Sequence, residues 1–569
     1  MAHIPVRMEN KEISRALKLL SQLLDLHSKN PFKVKSIANA SFKVDKLPFK
    51  LKEKNLTELE LIDGIGKSTA SKIWELLQTG TMQELGTLIA ATPAGVLDML
   101  GIKGLGAKKI QVIWKVLGIE NIGELYYACN ENRLIEAKGF GLKTQEEIKK
   151  AIEFRMAASG RFLYASVENL AGTYLQEFKN ILQKTDLEAE VIITGEFRRK
   201  CEIIDSLDFL IIADKKEILI EYLSQSNTDI TIENDIIGFK DHNGLNIKCI
   251  FTTKENKAMG LFESTGSSEH VKKVKTLLKG ASFDTEQDIY TSAGLTYIEP
   301  ELREAYNEIE LAAKNQLPEL ITFDDLKGTL HNHSTWSDGV HTIEEMALYC
   351  KDTLQLEYLG LCDHSKTAVY ANGLSIERVL QQHEEINKLN ERLAPFKIFK
   401  GIESDILPDG SLDYPDEILA RFDFVVASVH SGFKMDEEKA TNRLIKAIEN
   451  PYTSILGHPT GRLLLSRDGY PIDFKKVIDA CAANNVVIEI NANPLRLDLD
   501  WRWHRYALEK GVILSINPDA HRNEGFMDMQ YGINVARKGG LSKKHCLNAL
   551  SLHEITEFFN RNIKKHDFR

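Results

Sequence analysis

Cysteine is scarce: the 569-residue chain has seven, scattered, with no CxxC pair. That excludes a disulfide frame and a zinc–thiolate site, and it fits a reducing cytoplasm. Long apolar runs are missing as well. No stretch approaches the roughly 18 residues that a membrane-crossing helix needs. The start, MAHIPVRMENKEIS, lacks the apolar segment of a secretory leader. A membrane is therefore not an expected partner; a cytoplasmic monomer is expected. Positive charge is also in deficit. The net charge of −10 by itself argues against a nucleic-acid ligand, but its distribution says otherwise. Residues 1–160 carry 24 Lys and Arg against 18 Asp and Glu, about +6, which leaves about −16 for the remainder. The basic excess gathers at Lys33, Lys35, Lys43, Lys46, Lys50, Lys52 and Lys54.

A chain of this length exceeds one hydrophobic core, so about three to five domains are expected. Through residues 1–155 apolar side chains recur at helical spacing, as in ISRALKLLSQLLDLH, with short glycine turns between helices. From 160 to 255 the signals become those of strands: EVIITGEF, LDFLIIAD and LNIKCIFTT. Residues 256–320 are mixed and end in an acidic helix, PELREAYNEIELAAKNQ, with a boundary at Pro318. Beyond 322, short apolar strands alternate with helices, the pattern of an α/β barrel or layered sheet. The expected segments are 1–85, 86–156, 157–255, 256–320 and 322–569.

Three stretches share one pattern: LIDGIGKSTASKI, LGIKGLGAKKI and AKGFGLKTQEEI. Each sets two glycines before a helix: Gly64 and Gly66, Gly104 and Gly106, Gly139 and Gly141. They resemble helix-hairpin-helix motifs. Glycine lets such a turn lie close to a phosphate, and the helix start offers it free N–H groups. Such contacts hold the DNA backbone without reading its sequence. A single copy is more simply an ordinary turn between paired helices; three copies in the basic part point to DNA.

After residue 322, nearly every expected strand ends in a candidate metal ligand. TLHNHSTWSDG offers His331, His333 and Asp338; YLGLCDHS offers His364; FKGIESD offers Glu403. FVVASVHSGF offers His430, SILGHPTGR offers His458, and VILSINPDAH offers Asp519 and His521. VVIEINANP is a further strand with no obvious ligand. Strand ends of a barrel converge on one mouth. Imidazoles and carboxylates without thiolate suit Mn, Zn or Fe in a multinuclear site that activates water against a phosphoester. His341, His383, His504 and His553 lie outside the pattern and read as ordinary.

These motifs, in this order, resemble the PHP (polymerase and histidinol phosphatase) family over residues 325–569. The resemblance implies a distorted (βα)7 barrel holding three divalent metals. Carried over by position, one metal would take His331, His333, Glu403 and Asp519. A second would take Glu403, His430 and His458, and a third Asp338, His364 and His521. Lys366 and Arg462 stand beside ligands as candidate contacts for a substrate phosphate, with plain surface charge as the alternative.

The chain as a whole resembles bacterial family X DNA polymerases that carry a C-terminal PHP domain. That implies a multidomain α/β protein: helical helix-hairpin-helix domains, an α+β nucleotidyltransferase-like palm and thumb, then the barrel. The family's palm has a Gly-Ser-x-Arg-Arg turn, an Asp-x-Asp pair and a third Asp on a neighbouring strand, which together hold two Mg ions and the nucleotide. In GEFRRKCEIIDSLDFLI, Gly195, Arg198 and Arg199 match, but the serine is Glu196 and the first Asp position is Ser206. Asp208 remains. STGSSEH, with Gly266 and Ser267, matches a motif near the nucleotide, and counting back from it sets Lys248 at the third Asp. Mg²⁺ is therefore not expected in the palm, unless Asp205 or Glu202 substitutes. Lys72 occupies the place of the lysine with which the family's lyase members attack abasic deoxyribose; a solvated or phosphate-binding lysine is the plainer reading.

The expected function is a metal-dependent DNA nuclease of repair, cutting 3′–5′ and also at abasic sites, on gapped or 3′-end substrates. An active gap-filling family X polymerase with exonuclease is the alternative. A small-molecule phosphatase and a non-enzymatic DNA scaffold are the remaining readings.

Overall fold

A computed structural model describes residues 8–564 apart from Lys103, Glu136, Lys138, Ala281 and positions 158–159, 185–186, 214–215 and 227–228. Two compact units make up the chain, Met1–Ile152 and Glu153–Arg569. The first is helical. Helix Asn10–Leu26 turns Ile13, Leu17, Leu20 and Leu24 inward at helical spacing. Helix Pro31–Asp45 packs against it with Ile37, Ala40 and Val44.

In all three glycine turns the first glycine lies in the left-handed region. Gly64, Gly104 and Gly139 take φ of 81°, 90° and 93°, where a Cβ is strained. Gly66 and Gly106 cap helices Lys67–Thr79 and Ala107–Lys115, and the Gly141 carbonyl accepts from Gln145 to open Leu142–Ala157. A Cβ at Gly66, Gly104, Gly106, Gly139 or Gly141 would meet nothing within 4 Å. Internal packing therefore does not demand these glycines. Backbone conformation demands the first of each pair, and close approach from outside is open to both. Only Gly64 is covered, by the Lys43 side chain, which is paired with Asp63 at 2.6 Å.

The second unit opens with a helix where strand signals are expected. Tyr164–Leu182 buries Val167, Ala171, Phe178 and Leu182, a helical spacing. It lies against a five-stranded sheet of β1 (Glu190–Ile193), β2 (Ser206–Ile212), β3 (Thr231–Glu233), β4 (Ile236–Lys240) and β5 (Asn246–Thr252). The order is β1-β2-β5-β4-β3, with β2 and β5 parallel at the centre. A small helical core around Phe262, Ile289 and Tyr290 follows. The long acidic helix expected at 300–316 is not formed. A 3₁₀ turn, Pro300–Leu302, and a short helix, Glu308–Ala313, replace it. Arg303 turns fully inward to Glu286, and Ala305 takes φ of 59°, which breaks the helical path.

The barrel has seven parallel strands in sequential order: β6 (Gly328–Thr329), β7 (Tyr358–Leu361), β8 (Lys397–Asp405), β9 (Phe424–Ser428), β10 (Ile455–Leu456), β11 (Val487–Asn491) and β12 (Leu514–Asn517). The strands are buried on both faces, hence their continuous apolar runs. Its ends meet beyond β6 and β12, where His333 N–H donates to the Ala520 carbonyl at 2.9 Å. Among the described residues, no helix is long and apolar enough to cross a membrane.

Palm sheet, helical segment and barrel are tied by buried charge. Arg199 Nε donates to Glu304 Oε1 at 3.0 Å, and Glu304 also receives the ammonium of Lys538, which is only 4% exposed on barrel helix Met529–Lys538. Burial would raise the Glu304 carboxyl, but Lys538 and Arg199 outweigh it and hold it below the ordinary glutamate value. A carboxyl depressed in this way stabilises the fold above that value, and the contribution is lost as pH falls through the folded pKa. Glu304→Gln is expected to cost about 3–5 kcal/mol in denaturant unfolding at neutral pH, because a buried lysine loses its counter-charge. The difference from the unmodified protein should shrink on acidification. For the turns, Gly104→Ala is expected to cost about 1–2 kcal/mol of stability, from its left-handed backbone alone.

Candidate metal centre and palm site

Glu403, at the end of β8, is 1% exposed and stands between five imidazoles. Its Oε1 lies 3.3, 3.1 and 3.0 Å from the Nε2 atoms of His331, His430 and His458. Its Oε2 lies 2.9 Å from His364 Nδ1 and 3.7 Å from His333 Nε2. Asp519 Oδ1 is 3.0 Å from His333 Nε2 and 3.7 Å from His331 Nε2. Asp338 approaches His364 at 3.5 Å and His521 at 3.4 Å. All nine side chains singled out as ligands thus lie in one connected cluster at the C-terminal mouth of the barrel. Mutually close ligand atoms fall into three groups: His331, His333 and Asp519; His364, Glu403 and His430; His333, Asp338, His364 and His521. These groups overlap the three sets expected from the resemblance without coinciding, since His333 and His364 each serve two and His458 belongs to none of them.

Several atoms in this cluster are buried without a well-directed hydrogen bond: His331 Nε2, both nitrogens of His333, Asp338 Oδ2 and Glu403 Oε2. Buried polar atoms are normally satisfied. An oxygen and nitrogen donor set of this kind fits divalent cations such as Mn, Zn or Fe. The charges agree. Burial opposes protonation of His331, yet Glu489, Glu403 and Asp519 hold its pKa well above the ordinary imidazole value. Burial would raise Glu403, but His430, His331 and His364 pull it well below the carboxylate range. A cation would take the place of protons that the imidazoles otherwise hold.

A second layer of residues, invisible as a motif, fixes the first. Glu489 on β11 is fully buried; its Oε1 pairs with His331 Nδ1 at 2.7 Å, and its Oε2 accepts the His458 backbone N–H at 2.8 Å. Asn491, two residues on, donates to Asp519 Oδ2 at 3.1 Å. The strand VVIEIN therefore holds three of the nine candidates, His331, His458 and Asp519. Asp405 holds His430 Nδ1 at 2.5 Å. Asp363 accepts from the backbone and hydroxyl of Ser334 and from the Ser337 N–H, which shapes the loop that carries Asp338. His458 and Asp519 have φ of 23° and 55°, strain of the kind that a functional site retains. Polar residues two apart on one strand, Glu403 with Asp405 and Glu489 with Asn491, were the available signal.

Arg462 is not offered to a substrate as expected. Its guanidinium donates to Asp500 at 2.5 Å and to the carbonyls of Arg496 and Leu497. Lys366 is exposed, 5.7 Å from the ring centre of Tyr414.

In the palm, strand register sets Asp208 directly beside Lys248. The Ser206 hydroxyl donates to Asp208 Oδ1 at 2.7 Å. Gly195 has φ of 61°, and a Cβ there would come within 2.6 Å of the Asp208 carboxylate. The two arginines expected at a nucleotide are paired internally instead. Arg198 forms a two-pronged contact with Glu286 at 3.1 and 2.6 Å, and Arg199 is held by Glu304. Ser267 caps helix Ser268–Lys275, with Gly266 before it. Glu196 accepts from the Asp205 N–H, and burial pushes its carboxyl up. The substitute carboxylates have partners elsewhere: Asp205 with Arg161 at 3.2 Å, Glu202 with Arg502 of the barrel at 3.6 Å. Lys72 in the helical unit is neither solvated nor free. Its side chain is 17% exposed, and its Nζ lies 2.5 Å from Glu84, which also pairs with Lys33.

Comparison with known proteins agrees with both ends of the chain. A helix-hairpin-helix domain model matches residues 8–82, and a SAM-like helix-hairpin-helix tandem matches residues 96–153. A probable phosphatase of Thermoanaerobacter sp. (strain X514) is 30% identical over 31% of this chain and 74% of its own. A probable phosphatase of Clostridium acetobutylicum is 32% identical over 34% of this chain and 78% of its own. The DNA polymerase/3′-5′ exonuclease PolX of Bacillus subtilis (strain 168) is 34% identical over 98% of this chain and 100% of its own. With similarity that runs from the glycine turns through the palm to the last barrel strand, the chain belongs to the PolX family of DNA polymerase/3′-5′ exonucleases.

Proposed function

We propose that this PolX relative is a metal-dependent 3′–5′ DNA exonuclease of repair whose palm no longer adds nucleotides. Cleavage at abasic sites is a companion activity of the same centre. One observation carries the reading: the barrel gathers nine ligand side chains around buried, unsatisfied atoms, whereas the palm sets one carboxylate, Asp208, between a serine and a lysine. A metal pair needs several carboxylates to bridge and charge-balance it, and a neighbouring ammonium opposes it. Internally paired Arg198 and Arg199 are consistent with a palm kept as a platform.

His331, His333 and Asp519, then Glu403 with His430 and His458, then Asp338, His364 and His521 would hold three divalent cations, Mn the best suited. Such cations supply Lewis acidity to a phosphodiester and acidify water. The chain's own part is positional. Glu489 keeps the His331 proton on Nδ1 so that Nε2 faces the cluster, and it fixes the His458 backbone. Asp405 does the same for His430. The hairpin turns hold DNA by its phosphates, which lets one mouth serve any sequence.

An active polymerase remains the rival reading, favoured by the two activities joined in the name of the Bacillus relative. One gel separates them: a 5′-labelled primer on a gapped template, with Mn²⁺ and all four dNTPs, beside the His333→Ala variant. The expected result is shortening that the variant loses by at least about 100-fold, with no extension. Primer extension would overturn the palm reading. For the second layer, Glu489→Gln should weaken metal binding about 10–100-fold in a chelator competition, with the fold intact by circular dichroism.

A further inference from the structure

The mouth of the metal centre has an apolar rim that phosphoester chemistry alone does not call for. Tyr370 lies with its ring centre 6.1 Å from that of His364 and 6.5 Å from that of His430. Its neighbour Val369 is 81% exposed, and Val340, whose N–H donates to the carbonyl of His521, is 46% exposed. Apolar side chains held in water beside a catalytic cluster mark a contact surface.

The loop that carries Tyr370 is built to stay in place. Leu374 N–H donates to the His364 carbonyl at 2.9 Å, and Gly373 N–H to the Ala368 carbonyl at 3.0 Å. A Cβ on Gly373 would fall 1.9 Å from the Ser365 carbonyl, so the loop cannot be wider there. Thr367 anchors it to Asp413 at 2.7 Å and to Asp405 at 2.8 Å. Asn372 joins it to the loop of Asp338 through the Trp336 and Ser337 carbonyls, at 3.4 and 3.3 Å. Ala368 and Ala371 are buried beneath it, so Val369 and Tyr370 are what the loop presents.

We propose that Tyr370, with Val369 before it on the same loop, is the platform on which the terminal nucleobase of a DNA strand stacks while its phosphodiester enters the metal centre. The proposal rests on the nuclease reading above. A small phosphate ester would leave this rim wet, whereas a strand end brings a base with it. Stacking is indifferent to sequence because every base has a π-face. That indifference suits a chain whose hairpins also hold DNA without reading it. Exposed Lys366, on the same loop, supplies positive charge for the backbone of that strand.

Two labelled strands, identical except that one ends in thymidine and the other in a tetrahydrofuran abasic analogue, test this. The unmodified protein should remove the thymidine with a KM about tenfold lower. Tyr370→Ala should erase that preference by raising the KM of the thymidine end about tenfold, at unchanged metal content, and Tyr370→Phe should keep it. A second readout needs no cleavage. With EDTA present, 2-aminopurine at a 3′ terminus should be quenched by the unmodified protein and by Tyr370→Phe, but not by Tyr370→Ala. Shortening that treats both ends alike overturns the platform and leaves the nuclease standing. Quenching that depends on Tyr370 without any shortening supports the platform and overturns the nuclease. Equal quenching by all three proteins overturns the platform.

Discussion

A single buried carboxylate sets the terms for the barrel. Glu403 has almost no access to water and faces five imidazoles, several of whose nitrogens have no proper hydrogen-bond partner. Desolvating a charge is costly unless it is paired. Here the pairing groups are themselves buried and compete for protons. Cations would relieve that competition, and the rest of the barrel positions the residues that would hold them. Seven parallel strands bring their C-terminal ends to one rim. Positive φ at His458 and Asp519 aims side chains that ordinary strand ends would turn away. Glu489 and Asp405 hold ring orientations that free histidines would not keep.

The palm has resolved its charges in the opposite way. Its arginines face glutamates from the neighbouring helical segment, and one of those glutamates also holds a barrel lysine. The result is a network in which both arginines are paired within the protein. Ser206 hydrogen-bonds Asp208 where a second carboxylate would have repelled it in the absence of metal. A site with three carboxylates is unstable without its ions; a Ser–Asp–Lys neighbourhood is stable as it stands. The two centres thus differ in kind: the barrel cluster leaves buried polar atoms unsatisfied, whereas the arginines and Asp208 of the palm are paired within the protein.

Much of this was legible in the sequence because it is local. A ligand at a strand end follows an apolar run by one to three residues, and His331, His364, His430, His458 and Asp519 could be read that way. The hairpins were legible for the same reason: a glycine with positive φ two positions before a helix cap is a short pattern. Partners were not legible. Arg198, Arg199 and Arg462 looked like phosphate contacts because residue type was visible, whereas Glu286, Glu304 and Asp500, which hold them, lie 88, 105 and 38 residues away. Glu489 was passed over because a lone acid in VVIEINANP carries no ligand spacing; its role appears only when β11 lies between β10 and β12. The acidic segment at 300–316 has helical composition, but the burial of Arg303 outweighs that local preference.

Charge along the chain completes the division of labour. An excess of about +6 in residues 1–160 sits with the three glycine turns, and about −16 sits with the rest. An acidic surface repels a phosphate backbone in general, so DNA has reason to approach the second unit only where the local sign is reversed. The mouth of the barrel would be such a place under the proposed function, since divalent cations there would offset the carboxylates of the cluster. The acidity that argues against nucleic acid on composition alone thus becomes a source of selectivity. On the proposed function it would keep the backbone off the flanks of the barrel and leave the mouth, with its exposed apolar rim, as the favourable point of entry for a strand end.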